Sequence, residues 1–310
     1  MKKKIQFILA AVIAISVVFV SCKKSSTDST DNTDLTTHAD DQTMVSQGTD
    51  DVANDANNAI DGYNTFLGRP DNVNGTTNLP CDATAVLDSA NGLRRITLTF
   101  NGSNCLPNRT RTGVVVLSMP LTQHWKDAGA VLTISVQNLV ITRTTPNKSI
   151  TINGTIAATN VSGGRLRDLA ALGTITHTLT SPGITITFDN GSQRSWQIAK
   201  QRTFTYDNGI VITTIGTHVD GSITGISEWG TNRFGNAFVT SITQPMVIRQ
   251  DCSFRLVSGQ VTHSRLLASI VATFGLDSAG NPVSCPPGTF YFKVVWTGAN
   301  GIVRTFILPY

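Results

Sequence analysis

The residues that could do chemistry in this chain are few, and the first is a thiol. Ser21-Cys22 closes a segment that opens with Lys2, Lys3 and Lys4 and continues through the apolar run Ile5–Val20. A basic start followed by a short apolar run is a secretory signal. A small residue directly before a cysteine makes it a bacterial lipobox: the sulphur accepts diacylglycerol, the chain is cut before Cys22, and the new amino group is acylated. Position −3 is Phe19 where Leu is usual, while Val20 and Ser21 fit. The apolar run falls short of the roughly 20 residues that span a bilayer. Residues 1–22 are therefore read as a lipoprotein signal peptide. Cys22 is the expected lipidation site and the palmitate-type chains the expected membrane attachment, in the cell envelope, at the outer membrane and facing the surface.

Four further cysteines, Cys81, Cys105, Cys252 and Cys285, are an even number in an exported chain, which points to disulfides. They form two local pairs, and the favoured reading is Cys81–Cys105 and Cys252–Cys285. No Cys-x-x-Cys or Cys/His spacing suits a metal, and no nucleotide, phosphate-loop or hydrolase motif occurs, so neither metal nor cofactor is expected. Glu228, the only glutamate, adjoins Trp229. A carboxylate against an indole suggests glycan hydrolysis, but that needs a second carboxylate about 5–10 Å away, and no Asp is tied to Glu228 by spacing. His218 and Asp220 share a strand face, although Asp220-Gly221 already reads as a hairpin turn. His177 lies in step with Ile175 and Leu179 and reads as a core histidine. Of Trp125, Trp196, Trp229 and Trp296, the last alternates with core residues, leaving two or three for a sugar-stacking platform.

Charge is split along the chain. Residues 23–80 carry ten Asp against Lys23, Lys24 and Arg69, a net −7; residues 81–310 carry 18 basic and 10 acidic residues, a net +8. A basic domain could attract polyanions, but the cations are scattered singly and no nucleic-acid motif accompanies them.

The elements that would hold these residues follow from periodicity. Residues 23–48 are rich in Ser, Thr and Asp and poor in apolar side chains, and read as a disordered tether. Val52, Ala56, Ala59, Ile60 and Tyr63 recur at helical spacing, so 49–80 is expected to hold a short amphipathic helix, capped by Thr49 or Asp50, and a linker. From 81 to 310 the period becomes two: Ile96, Leu98 and Phe100; Ile184, Ile186 and Phe188; Phe290, Phe292, Val294 and Trp296. Asn-Gly and Asp-Gly pairs between such runs mark tight hairpin turns. The fold class is all-β, a large antiparallel sheet forming a sandwich or a distorted or open barrel. GGRLRDLAAL at 163–172 reads as an inserted turn or short helix.

The segments CDATAVLDSANGLRRITLTFNGSNC, RTRTGVVVLS and GISEWGTNRFGNAFVTSITQPMVIRQDCSFRLVSGQV resemble a family of uncharacterised Bacteroidota lipoproteins. Its features are a Cys-to-Cys hairpin, an Arg-x-Gly strand (Arg111-Thr112-Gly113) and a Gly-x-Asn-Arg-x-Gly segment (Gly230 to Gly235), followed by Pro245 and Cys252. Leu106-Pro107-Asn108 replaces the Asp-Gly that the family tends to place after its second cysteine. The resemblance covers about 81–310 and implies a lipid-anchored β domain, with no activity attached. The expected function is a non-catalytic binding or structural module rather than an enzyme. A surface glycan or polyanion comes first as its partner. The alternatives are a glycan hydrolase using Glu228 and a carrier of a lipid or other apolar ligand in a half-barrel.

Overall fold

The computed structural model describes residues 27–67, 79–106, 108–145, 147–265, 268–285, 288–297 and 301–310. The signal segment and Cys22 lie outside them, as do Lys23 and Lys24. The chain divides into a unit ending at Asp34 and a unit from Leu35 to Tyr310. All contacts below belong to the second.

Among the described residues, fifteen strands form one antiparallel sheet. β1 (Ala83–Ala90), β2 (Leu93–Asn101), β3 (Arg109–Pro120), β4 (Ala130–Thr144), β5 (Asn147–Asn160), β6 (Thr174–Phe188) and β7 (Gln193–Tyr206) pair in chain order. β8 (Ile210–Gly216), β9 (His218–Asp220), β10 (Ile223–Thr231) and β11 (Ala237–Arg249) follow. Between β7 and β11, β8 and β10 lie end to end in one lane. β10 takes Trp196–Ile198 of β7, and β8 takes Lys200–Tyr206. β12 (Arg255–Arg265), β13 (Ala268–Leu276), β14 (Tyr291–Thr297) and β15 (Val303–Pro309) complete the sheet. The 163–172 segment forms a 3-10 turn and the one-turn helix α2 (Leu169–Leu172). The path runs as a single sheet from β1 to β15, so the architecture is a rolled sheet rather than a two-sheet sandwich.

The period-two residues face inward as expected: Ile96, Leu98, Ile184, Ile186, Phe290, Phe292 and Val294 are all buried. Burial at alternate positions is what a half-covered strand needs. Both expected disulfides are present, with Cα–Cα distances of 5.8 Å for Cys81–Cys105 and 5.2 Å for Cys252–Cys285.

The N-terminal segment differs from its reading. Helix α1 runs Thr27–Gly62, 36 residues, where a tether to 48 and a helix starting near Thr49 were expected. It is not laid on the outside of the sheet. Met44, Val45, Val52, Ala53, Ala56, Ala59 and Ile60 share one core with β2–β7, and Ala39 joins a second with β12–β14. Its polar residues are buried too, including His38, Asp41, Gln42, Thr43, Asp55 and Asn57. A helix polar on most of its faces normally lies in water. Here the rolled sheet supplies a charged partner for nearly every buried acid, so apolar content alone did not reveal it. No helix among the described residues is long and apolar enough to cross a membrane.

Candidate functional site

Two geometric periods coincide inside the sheet. Four residues along an α-helix rise about 6 Å, and two along a strand rise about 6.6 Å. Acids at i, i+4 on α1 can therefore meet cations at i, i+2 on a strand running in the same direction. Asp51 and Asp55 meet Arg109 and Arg111 of β3 at 2.7 and 2.6 Å. Asp50 lies 3.6 Å from Lys200 of β7, and Asn54 accepts a 2.6 Å hydrogen bond from Arg202 two residues on. β3 and β7 point the same way in an antiparallel sheet, so both ladders ascend with the helix.

The N-terminal end of this unit is held similarly. Asp40 takes Arg143 of β4 and Lys148 of β5 at 2.6 and 2.5 Å; Asp41 takes Lys148 and Arg233, both at 2.6 Å. Two cations hold the Asp40 carboxyl below its usual range although burial works in the opposite direction. Arg167 reaches Asp61 near the far end. Among the described residues, seven basic side chains of the sheet domain pair with six aspartates of α1. The −7/+8 split is thereby resolved largely within the molecule.

The segments that carried the family resemblance sit in this network. Arg111 donates Nε and Nη2 to Asp82, whose neighbour Cys81 is tied to Cys105, and Nη1 to Asp55. Gly113 follows at φ +125, where a Cβ would come 2.3 Å from the Asn138 carbonyl oxygen; only glycine fits. In the Gly230–Gly235 turn, the Asn232 side-chain oxygen accepts the backbone N–H of Phe234 and Asn236. That turn aims Arg233 at Asp41 and Asp189.

Beside α1 lies a chamber of about 800 Å³, within the range of small-molecule sites. Its helix wall is polar: Gln42, Ser46, Asp50, Asp51, Asn54 and Asp55. Its apolar lining includes Phe204, Ile212, Ile242, Met246, Leu256 and Phe274 of β7, β8 and β11–β13. Thr144, Thr145, Ser253, Phe254, Gly288 and Thr289 are exposed where the chamber opens to solvent, and Asn58 is exposed on its helix side. Ser253 and Phe254 both have positive φ, at 57° and 55°. For a bulky side chain this is a strained conformation. It follows directly on Cys252, and it holds Phe254 at the rim.

The candidate residues of the sequence fall mostly elsewhere. Glu228 is buried, with Lys200 at 2.7 Å on one oxygen and the Gln42 amide at 2.7 Å on the other, and it does not line the chamber. Lys200 keeps its charge against the cost of burial because Asp50 and Glu228 flank it. His218 stacks on Trp229 at 4.1 Å, and Asp220 is exposed beside it in the β9–β10 hairpin. Trp125, Trp196 and Trp296 are buried; only Trp229 is part-exposed. His177 is a core residue, edge-on to Trp125, and burial brings its pKa down to about 3. The residues of the network and chamber were missed individually. Their trace was the charge split itself, with Asp51 and Asp55 at helical spacing and Arg109 and Arg111 at strand spacing.

No protein-family model, no curated protein and no solved structure matches this chain.

Proposed function

We propose that this is a non-catalytic, lipid-anchored module of the cell envelope that holds an apolar or amphiphilic small molecule in the chamber beside α1. The observation that carries the reading is a cavity of about 800 Å³ lined by apolar residues of several strands and open to solvent. Burying apolar surface there would supply the affinity, at about 25 cal/mol per Å² removed from water. The glycan or polyanion reading, placed first on the sequence, draws on the basic domain and on exposed tryptophans. Seven of those cations face α1, and three of the four indoles are buried, so the chamber is the better supported site. The hydrolase alternative would need Glu228 to leave an ion pair it makes in the interior.

An uncharged naphthylamine dye titrated into the protein should show saturable, single-site fluorescence enhancement. Met246→Trp, which enlarges a side chain of the apolar lining, should weaken that binding by roughly tenfold or more. Linear, non-saturating uptake by both proteins would sink the proposal. The membrane attachment rests on Ser21-Cys22. Labelled fatty acid should enter the wild-type protein and be absent from Cys22→Ser; equal labelling of both would remove the anchor from the reading.

A further inference from the structure

We propose that the ligand is an alkyl chain with an anionic head, carboxylate or phosphate, inserted tail first and held at the mouth by Arg255. This rests on the ligand-binding reading above and adds the chemical class.

Of the cations lining the chamber, Arg109 is engaged by Asp51, Arg111 by Asp55 and Asp82, Arg143 by Asp40, and Lys200 by Asp50 and Glu228. Arg255 differs. Among the described residues no Asp or Glu lies within ion-pair distance of it. Its guanidinium rests 3.7 Å over the Phe290 ring and donates to the backbone oxygens of Gly288 and of Tyr310, the last residue of the sequence. A guanidinium stacked on a ring is pre-organised, with its orientation set before any ligand arrives. Burial and the positive charge of Arg109 act against the charge of Arg255 while Tyr310 supports it, and an anion placed at the mouth would add to that support.

Behind this charge lies the apolar lining, and in front of it stands the rim of Ser253 and Phe254. The order from mouth to interior is aromatic rim, cation, then apolar surface. That is the polarity profile of a single-chain amphiphile with its head outward. A glycan would leave the apolar lining unmatched, and a neutral hydrocarbon would leave Arg255 unmatched.

Displacement of the naphthylamine dye by tetradecanol, myristate and tetradecyl phosphate, at fixed ionic strength, tests this. Wild-type protein should prefer at least one anionic chain to the alcohol by tenfold or more, and the two anions distinguish carboxylate from phosphate heads. Arg255→Gln should reduce that preference at least tenfold, and Arg255→Lys, which keeps the charge, should retain most of it. Equal affinity for alcohol and anions in the wild type, or an unchanged preference in Arg255→Gln, overturns the assignment of the head group while the chamber reading stands. Absence of dye binding overturns both.

Discussion

A chain from which Thr27–Gly62 has been deleted is expected not to reach the folded state. The helix carries Met44, Val45, Val52 and Ile60 into the core. Burying each such side chain is worth about 1.5–3 kcal/mol, so these four alone approach the 5–15 kcal/mol by which a typical domain is stable. Deletion also strands inward-facing Arg111, Arg143, Lys148 and Lys200 without their helix carboxylates. Urea unfolding followed by tryptophan fluorescence should show a cooperative transition for the intact protein and none for the deletion. A peptide spanning 27–62 added during refolding should restore it. A cooperative transition of unchanged midpoint in the deletion would show that the sheet stands without its filling.

The single substitution with the largest expected effect is Arg111→Met. Its guanidinium serves Asp82, wholly buried, and Asp55, nearly so. Removing one partner of a buried ion pair costs about 3–5 kcal/mol, because the other charge stays behind unpaired. The triple change Arg111→Met, Asp55→Asn, Asp82→Asn should recover a large part of that loss, since mutations within one network are not additive. Additive losses in urea titrations would show that the three residues act independently.

This cluster also sets a pH dependence. Burial pushes the Asp55 carboxyl up to about 7 although Arg111 opposes it, and the charges of Asp51 and Asp82 add to the rise. In the unfolded chain the same group titrates near 3.9. Between the two values the folded state binds the proton more tightly. The group therefore favours folding at low pH, and its contribution is lost as pH rises from about 4 to 7. Asp55→Asn should remove this component, by up to about 1.4 kcal/mol per pH unit. Buried His177 and His263, held neutral down to about 3 and 4, act with the opposite sign and destabilise the fold as pH falls below about 6.5. The comparison between wild type and Asp55→Asn isolates the carboxyl from that background.

How far the sequence disclosed the molecule depends on where each partner lies. Strands such as Leu93–Asn101 were legible because each carries its own alternation, and the disulfides because each pair is local. The helix was legible only over Val52–Ile60, where apolar residues recur at the helical period. Upstream it is held by Asp40 and Asp41, whose partners Arg143, Lys148 and Arg233 lie about 100–190 residues away. No local pattern encodes such a pairing. The chamber was invisible for a different reason: it is a gap between α1 and residues of β7, β8 and β11–β13, and a sequence shows which side chains exist rather than where they fail to meet.

The central position of α1 has a kinetic consequence. The helix is made first, yet its partners emerge later: Arg109 and Arg111 early, Lys200 and Arg233 well after, and the Ile270–Trp296 core around Ala39 near the end of the chain. Alone, a segment so rich in Asp, Asn and Thr has little reason to stay helical in water. The sheet, for its part, has no filling until the helix enters it. Contacts that join residues nearly two hundred positions apart raise the contact order above that of the chain-order strand pairing alone, which slows folding. Docking of the helix is thus a late event that waits for strands near the end of the chain.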